Sequence, residues 1–424
     1  MHIYFSGIGG TGIGPLALIA HQAGYDVSGS DQQDSTYVKF LKQQGVTDIH
    51  VGQTRAHIAT VHDKNPIDWF VYTSSLPTDH PELLFCREQG IKVSKRNEFI
   101  NLILSEKKLK LVAIAGTQGK TTTTAMVIWL FKQLGLPISY AVGTQVSFGG
   151  FATYDKKSEY FVYECDEYDR NFLAFEPYFS IISGVSWDHH DVFPTREDYQ
   201  AAFREFISQS KHTLLWQDDT DYLQLQNGSG VSTLTWNDDP ELIRLPGFYN
   251  RLDAWLACEA VRQITGVPVE DLVAHINKFP GLERRMERIA SGLFSDYAHT
   301  PEKIRAAMDT AQEIAAAHAQ DVVVVYEPHS NHRQQHIIND YKDCFAGATQ
   351  VYWLPTYLAR YDNQSRIIPP QELISHLSDP NVAVPAEMGE PLKRTIAAHL
   401  QKGDMVVAMS AGPLDAWLRK EFRA

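Results

Sequence analysis

The stretch that most constrains this chain runs from Leu111 to Thr124 and reads LVAIAGTQGKTTTT. Its first five residues are apolar, which is typical of a buried parallel strand. A glycine turn from Gly116 to Gly119 follows, and Lys120 then opens a threonine run and an apolar segment. This order is typical of a phosphate-binding loop, because backbone N–H groups at a helix N-terminus point at phosphate oxygens.

In such a loop we expect Lys120 to reach the β- and γ-phosphates of ATP and the Thr121 hydroxyl to help hold Mg²⁺. The stretch departs from the full pattern at one position, where Ile114 stands in place of the first glycine. A strand, turn and helix without any ligand is the alternative. It is disfavoured because a lysine in a glycine turn needs an anion to face. The stretch therefore predicts an ATP site.

A second glycine turn, GIGGTG at residues 7–12, follows a short predicted strand near the N-terminus. It fits the G-x-G-x-x-G fingerprint, and Asp31 lies close to the acidic position that contacts a ribose in dinucleotide-binding folds. The fingerprint suits NAD, and it equally suits any nucleotide diphosphate whose pyrophosphate lies at the helix N-terminus. A tight turn without a ligand is the third interpretation. The later segment 68–75 reads as a strand that ends in hydroxyl residues, at the sheet edge where ligands bind.

Two further strands end in acidic residues. Residues 161–163 are followed by ECDEYD at 164–169, and residues 179–185 are followed by WDHHD at 187–191. Carboxylate oxygens beside a phosphate loop are what Mg²⁺ needs. We expect Glu164, the first residue after its strand, to bind the metal.

The other polar residues of these two segments have simpler interpretations. Asp166 and Asp169 are expected to be solvated. The pair His189–His190 suggests zinc only weakly, because adjacent histidines cannot easily face one ion and no cysteine stands at zinc spacing.

Composition and charge narrow the classes of protein to which this chain can belong. A chain of 424 residues corresponds to about three domains. Acidic residues outnumber basic ones, 51 to 38, which argues against a nucleic-acid-binding surface. The chain shows no signal-peptide pattern and no apolar run long enough to span a bilayer. The four cysteines are scattered without metal or disulfide spacing. We expect a reduced cytoplasmic protein without membrane insertion, a monomer or weak dimer.

Strand and helix patterns continue to alternate up to the C-terminus, which predicts α/β units with parallel sheets. We expect three domains, at residues 1–105, 106–280 and 281–424, with the charged stretch 105–110 as the first linker. Asn250 opens an alanine-rich helix in the second domain. It is either a helix cap or a contact to a base edge.

Taken together, these motifs resemble the Mur ligase family over essentially the whole chain. The matching motifs beside the glycine turns are ECDE at 164–167, Asp188-His189, the Asn250 helix start, Arg284-Arg285 and DYAHTP at 296–301. The resemblance implies an α/β fold of three domains. The first is Rossmann-like and binds a UDP-sugar, the second is a P-loop-type ATPase, and the third is Rossmann-like and binds the amine substrate.

The resemblance also implies roles for single residues. Catalytic roles fall to Lys120, His189, Arg285 and His299, of which His299 lies near the incoming amino group. The metal ligands are Thr121, Glu164 and His189. ATP is bound by Gly116, Thr117, Gln118, Gly119, Lys120, Thr121, Thr122, Asn250 at the adenine, Arg285 at the γ-phosphate and Asp296 at the ribose. The UDP-sugar is bound by Gly7, Gly9, Gly10, Thr11, Gly12, Asp31, Thr73, Ser74 and Ser75.

Three positions depart from the family pattern. Gln118 stands where alanine-adding members often carry histidine, and Asp253 stands where a second asparagine is expected in the adenine-contacting helix. Some members use a carbamylated lysine to bridge metals, and residues 199–203 contain no lysine. That absence agrees with the branch that acts on UDP-N-acetylmuramate.

The function implied is ATP-dependent joining of L-alanine to the carboxylate of UDP-N-acetylmuramate through an acyl phosphate, in peptidoglycan precursor synthesis. The first glycine loop and residues 28–31 favour alanine. Residues 164–169, 191–194 and 327–331 resemble instead the recycling enzyme that adds the tripeptide L-Ala-γ-D-Glu-meso-diaminopimelate. A folate-type polyglutamate ligase shares only the ATPase core. A nicotinamide oxidoreductase would give no role to Lys120, Glu164 and Arg285. A non-catalytic nucleotide sensor would not need a metal ligand.

Overall fold

The computed structural model describes residues 1–73, 76–189, 192–226, 228, 230–235, 240–358 and 366–422. The chain packs into two compact units. The first comprises Met1–Ile243 and Asp253–Phe279, and the second comprises Arg244–Leu252 and Pro280–Ala424. Within the described ranges, no helix is both long enough and apolar enough to cross a membrane.

The first unit begins with a five-stranded parallel sheet in the order β3-β2-β1-β4-β5. Because neighbouring strands reverse their order beside β1, a crevice opens at the carboxyl ends of the strands there. The strands are β1 His2–Ser6, β2 Asp26–Asp31, β3 Asp48–Val51, β4 Trp69–Tyr72 and β5 Lys92–Lys95. The helices are α1 Gly14–Gln22, α2 Thr36–Gln43, α3 Arg55–Lys64, α4 Pro81–Glu88 and α5 Arg96–Glu106.

The same unit continues with a seven-stranded sheet in the order β12-β11-β10-β6-β9-β7-β8, parallel except for the β7–β8 pair. Strand β6 carries the phosphate loop and lies between β10 and β9. The strands are β6 Lys110–Ala115, β7 Ser139–Val146, β8 Gly150–Thr153, β9 Tyr160–Glu164, β10 Phe179–Ile182, β11 His212–Trp216 and β12 Val231–Leu234. The helices are α6 Lys120–Gln133, α7 Arg196–Gln209, α8 Gln217–Tyr222, α9 Phe248–Thr265 and α10 Val269–Ile276. The first turn of α9, up to Leu252, is assigned to the second unit, and the rest of the helix to the first.

The second unit contains a six-stranded sheet in the order β13-β14-β18-β15-β16-β17, in which only the β13–β14 pair is antiparallel. The strands are β13 Glu287–Ala290, β14 Leu293–Asp296, β15 Val322–Glu327, β16 Gln350–Trp353, β17 Ala383–Pro385 and β18 Met405–Ser410. The helices are α11 Pro301–Ala316, α12 Asn331–Ile337, α13 Pro370–Ile374, α14 Glu390–Lys402 and α15 Leu414–Phe422.

Continuous apolar runs form the central strands, because helices cover both faces of these sheets. All six residues of β15, VVVVYE, are buried, and five of the six residues of β6 are buried. The prediction of three α/β units built on mostly parallel sheets is confirmed.

Two boundaries differ from the sequence expectation. Helix α5 runs to Glu106 and β6 begins at Lys110, so the predicted linker at 105–110 shrinks to residues 107–109. Leu109 in that segment is buried, which ties it to the core. Strand β10 ends at Ile182 rather than at Val185, because Ser183 and Gly184 turn toward the phosphate loop.

Candidate active site

The phosphate loop leaves β6 at Gly116 and enters α6 at Lys120. Gly119 caps the helix with φ +77°, a conformation that strains any residue with a side chain. A Cβ there would lie 2.6 Å from the nearer Asp253 carboxylate oxygen, and a Cβ at Gly116 would lie 2.6 Å from Ser183 Oγ. Both positions therefore require glycine, since backbone and neighbouring side chains approach too closely for a larger residue.

Thr117 holds this loop against the exit of β10. Its amide donates to the Gly184 carbonyl at 2.8 Å, and its hydroxyl lies 2.7 Å from both the Ser186 carbonyl and the Tyr199 hydroxyl. The Ser183 hydroxyl also donates to the carbonyl of Gln118. The loop is thus braced from β10 and α7, which preorganises its N–H groups for an anion.

Lys120 is paired with Glu167, a residue of the acidic segment that the sequence analysis left without a role. Its ammonium nitrogen lies 2.8 Å from Glu167 Oε2 and also donates to the Gly116 carbonyl. Burial favours the uncharged form of both side chains, but the charge of Glu167 holds the pKa of Lys120 above its usual value. Burial likewise opposes ionisation of Glu167, and Lys120 and His189 keep its pKa low. The loop therefore presents a charged lysine.

His189 lies beside the same carboxylate. Its Nε2 is 3.4 Å from Glu167 Oε1, and its backbone has φ +54°. Burial alone would lower the pKa of His189, but Glu167 and Asp188 raise it. The neighbouring residues His190 and Asp191 lie outside the described residues.

The predicted metal ligand Glu164 lies at the end of β9. Its two oxygens accept hydrogen bonds of 2.9 Å from the Thr121 hydroxyl and from the Gly143 amide. Over the described parts of the chain, no three His, Cys, Asp or Glu side chains converge as a metal-binding group. Mg²⁺ is commonly held by one or two carboxylates with phosphate and water. The buried Glu167 Oε1 lacks a well-aligned hydrogen bond, so the site retains acceptor capacity and the oxygen-rich donor set fits this ion.

The glycine turn at residues 7–12 is clasped by Asp31 and Ser35. The Gly9 amide donates to Asp31 Oδ2 at 2.9 Å, and the Ser35 hydroxyl donates to the Gly9 carbonyl at 2.9 Å. A Cβ at Gly9 would lie 2.6 Å from Ser35 Oγ. Thr73 lies beside Gly7, and the predicted residues Ser74 and Ser75 fall outside the described residues. The structure thus brings the first glycine loop, Asp31 and Thr73 together.

A cavity of about 220 Å³ joins the two glycine loops within the first unit. The first loop contributes Thr11 and Gly12, and the phosphate loop contributes Lys120. Other lining residues are Pro15, Leu16, Arg96, Ala141, Val142, Gly143, Tyr163, Glu164 and Asp166. One molecule in this cavity would contact the dinucleotide-type loop and the phosphate loop together.

Arg96 is the residue of this cavity that the sequence analysis missed. It begins α5 directly after β5, and its Nη1 would lie 2.6 Å from a Cβ at Gly12. Its Nη2 lies 3.4 Å from Asp166, which lines the cavity and is not simply solvated. By contrast, Asp169 forms an exposed ion pair of 2.8 Å with Lys95. A cation at the carboxyl end of a parallel strand was the available signal for Arg96.

Four predicted residues lie in the second unit or at its boundary. Asp296 is buried, and its oxygens accept from the Met286 and Ala298 amides at 2.9 and 2.8 Å. The Arg285 guanidinium lies 5.6 Å from the centre of the Tyr297 ring. Asn250, in the first turn of α9, donates to the Pro246 carbonyl at 2.8 Å.

The fourth of these residues, His299, is nearly fully buried, and its Nδ1 lies 2.7 Å from the Tyr297 carbonyl oxygen. Because a carbonyl only accepts, Nδ1 carries the hydrogen and Nε2 the lone pair. Burial and, to a smaller extent, the charge of Lys303 push the pKa of His299 well below its usual value. The imidazole is therefore neutral near pH 7.

Comparison with protein families matches three consecutive parts of the chain. Residues 2–108 match the Mur ligase family catalytic domain, residues 114–244 the Mur ligase middle domain, and residues 284–412 the Mur ligase glutamate ligase domain. These ranges cover the two glycine loops and the acidic strand ends.

Similar proteins extend over the full chain. The UDP-N-acetylmuramate–L-alanine ligases of a Nocardioides species and of Lachnospira eligens are each 30% identical over 98% of this chain, and the match covers 94% and 96% of the two relatives. The structure of UDP-N-acetylmuramate-alanine ligase from Thermotoga maritima has a TM-score of 0.79 at 23% identity, covering 99% of this chain and 98% of that one. A murein peptide ligase from Psychrobacter arcticus has a TM-score of 0.66 at 23% identity, with the same coverage. The chain belongs to the Mur ligase family.

Proposed function

We propose that this protein joins L-alanine to the lactyl carboxylate of UDP-N-acetylmuramate, with conversion of ATP to ADP and phosphate. The observation that carries the proposal is the cavity shared by the two glycine loops. Thr11 and Gly12 line it beside Lys120 and Glu164, so a UDP-sugar bound at the first loop reaches the phosphate loop with its acid group. The names of the similar full-length proteins support the same substrates.

Arg96 supports an acidic sugar as the occupant. Lys120 already has Glu167 as a buried partner at 2.8 Å, whereas the ion pair that Arg96 forms among the described residues is the longer contact of 3.4 Å to the half-exposed Asp166. A guanidinium suits planar or phosphate oxyanions. We assign Arg96 to the anionic part of the substrate, its pyrophosphate or its lactyl carboxylate.

The reaction needs activation because a carboxylate is a poor acyl donor. A carboxylate oxygen attacks the γ-phosphorus of ATP, the bond to the β-phosphate oxygen breaks, and an acyl phosphate and ADP form. The amine then attacks the acyl carbon and phosphate leaves. Lys120 neutralises charge on the transferred phosphoryl group. Thr121, Glu164 and His189 would hold Mg²⁺, which supplies further neutralisation when bound. The roles of Arg285, Asn250, Asp296 and His299 follow from the family resemblance.

The first experiment measures ADP release with ATP, Mg²⁺, UDP-N-acetylmuramate and a panel of amines. We expect ADP release that requires both the sugar nucleotide and L-alanine, with a ligated product of matching mass. Release of ADP without an acceptor would indicate an ATPase. Binding of NAD by a protein that does not bind uridine nucleotides would favour an oxidoreductase. No activity on any acceptor would refute the ligase proposal.

The amine donor has one alternative, the tripeptide. The sequence segment 327–331 resembles the tripeptide enzyme, but Asn331 is fully buried and bridges the Arg366 carbonyl and the Ile368 amide at 2.9 Å each. This packing accounts for Asn331 alone, so the resemblance of residues 164–169, 191–194 and 327–331 keeps the tripeptide as the alternative. Competition kinetics decide the point. A kcat/KM at least tenfold higher for the tripeptide than for alanine, about 1.4 kcal/mol, would overturn the choice.

A further inference from the structure

Arg285 lies in a strained turn of the second unit. Its neighbours on both sides, Arg284 and Met286, have φ of +55° and +47°, a left-handed conformation that is unfavourable for residues with a side chain. Among the residues that the structure describes, no carboxylate lies within ion-pair distance of the Arg285 guanidinium, which lies 5.6 Å from the centre of the Tyr297 ring. Strain of this kind persists only where the surrounding structure fixes it, and it is concentrated at functional sites.

Two carboxylates fix the backbone of this turn. The Arg284 amide donates to Glu287 Oε2 at 2.9 Å, and the Met286 amide donates to Asp296 Oδ2 at 2.9 Å. These amides lie directly before and directly after Arg285 in the chain. The two contacts therefore set the direction in which the Arg285 side chain leaves the turn.

Glu287 is itself held by the last helix, α15. Arg419 donates from Nη1 to Glu287 Oε1 at 2.9 Å and from Nη2 to Oε2, which makes a bidentate pair. Burial would raise the pKa of Glu287, but Arg419 holds it below its usual value, so the carboxylate stays charged. Both side chains are mostly buried, with exposures of 19% and 18%. Water therefore cannot readily replace Arg419 if it is removed.

We propose that Arg419 is a positioning residue that acts through Glu287 to hold Arg285 in place for the transferred phosphoryl group. The inference rests on the proposed function, in which Arg285 contacts the γ-phosphate of ATP. A cation that is already placed where charge develops stabilises the transition state without reorganisation. Arg419 is not itself assigned to the substrate, so its effect on the reaction requires Arg285.

The test is a double-mutant cycle on kcat for ligation, with the full-length protein and saturating substrates. Arg285→Ala is expected to lower kcat by about 10²-fold, and Arg419→Gln by about tenfold. The double variant should have the kcat of Arg285→Ala within about twofold, because the residue through which Arg419 acts is then absent. The KM for UDP-N-acetylmuramate should stay within about threefold of wild type in each variant.

Glu287→Gln is the second variant, in case Arg419→Gln does not fold. It keeps an oxygen acceptor for the Arg284 amide but loses the charge that binds Arg419, so its effect should also vanish when Arg285 is alanine. Glu421→Gln is the matched control. It breaks the 2.6 Å ion pair between α15 and Lys393, and it should keep the wild-type kcat.

A double variant whose loss equals the product of the two single losses would give Arg419 a merely structural role and overturn the inference. Wild-type kcat in Arg285→Ala or in a folded Arg419→Gln would overturn it too, while ligation by the wild type would leave the proposed function standing. A wild type that ligates no acceptor would refute the proposed function and the inference with it.

Discussion

Lys120 and Glu167 form the pair on which the phosphate site depends. Both side chains are largely buried, with exposures of 16% and 1%. Removing one partner from such a pair leaves the other as an uncompensated charge, which is costly. Glu167 was visible in the sequence as one carboxylate among four, and only its contact with Lys120 separates it from its neighbours.

We expect Lys120→Ala to lower kcat for ligation by a factor on the order of 10²–10³, because it removes an electrostatic stabiliser of the transferred phosphoryl group. UDP binding at the first glycine loop should stay within about threefold of wild type, by calorimetry. Lys110→Ala, on the strand before the loop and paired with the exposed Glu159, is the control and should keep full activity. Near wild-type turnover of Lys120→Ala would show that the phosphate-loop assignment is wrong.

Arg96→Ala is expected to raise the KM for the UDP-sugar about tenfold or more and to leave the KM for ATP nearly unchanged. The physical reason is the loss of a charge-assisted contact to the acidic substrate. Steady-state kinetics with each substrate varied in turn separate the two constants. Arg87→Ala, an exposed arginine at the end of α4, serves as the control. Equal changes in both KM values would argue for a general disturbance of the cavity.

At the scale of elements, the strand–turn–helix of β6 and α6 needs glycine for two separate reasons. Gly119 combines a positive φ with a close neighbour, the carboxylate of Asp253. Gly135, at the other end of the same helix, has φ +67°, and a Cβ added there would meet no atom within 4 Å. Both glycines therefore have a left-handed backbone that would strain another residue, but only Gly119 also has a close steric neighbour.

We expect both Gly119→Ala and Gly135→Ala to lose about 1 kcal/mol of folding stability from the left-handed conformation. Only Gly119→Ala should also weaken ATP binding, by an order of magnitude or more, because the loop must shift away from Asp253. Thermal unfolding and nucleotide titration measure the two effects. If Gly135→Ala weakened ATP binding as much as Gly119→Ala, backbone strain and not the contact with Asp253 would explain the loss of ATP affinity.

At the scale of the whole molecule, folding stability should carry a pH signature from Asp219 in α8. Its carboxylate accepts from the Val185 amide at 2.7 Å, and burial raises the pKa of Asp219 to about 7. The unfolded value is about 3.9. Between these two values the folded protein binds the extra proton, so this contribution to stability is lost as pH rises from about 4 to about 7.

We expect Asp219→Asn to gain stability relative to wild type as pH rises through this window, since the amide oxygen still accepts from Val185 and carries no charge. Denaturant unfolding at pH 5 and pH 8 measures the difference. Asp221→Asn, an exposed change on the same helix, should show no such trend. A stability difference independent of pH would contradict the account.

The sequence by itself determined the local parts of this protein. Runs of apolar residues set the strands, because both faces of a parallel strand are buried. The turns at residues 7–12 and 116–119 followed from glycines, of which Gly7, Gly116 and Gly119 have a positive φ that strains other residues. These short-range rules sufficed for three α/β units, for the two glycine loops and for the family resemblance.

Only the tertiary structure decided which of these parts meet. Arg96 lies against Gly12, Lys120 against Glu167, and Glu82 against Ser6, although 84, 47 and 76 positions separate the partners along the chain. The order of the strands in the sheet brings such partners together. Strand β6 lies between β9 and β10, so the segments that follow those two strands flank the phosphate loop. Strand order depends on the summed packing of whole elements, and no local pattern of residue types encodes it.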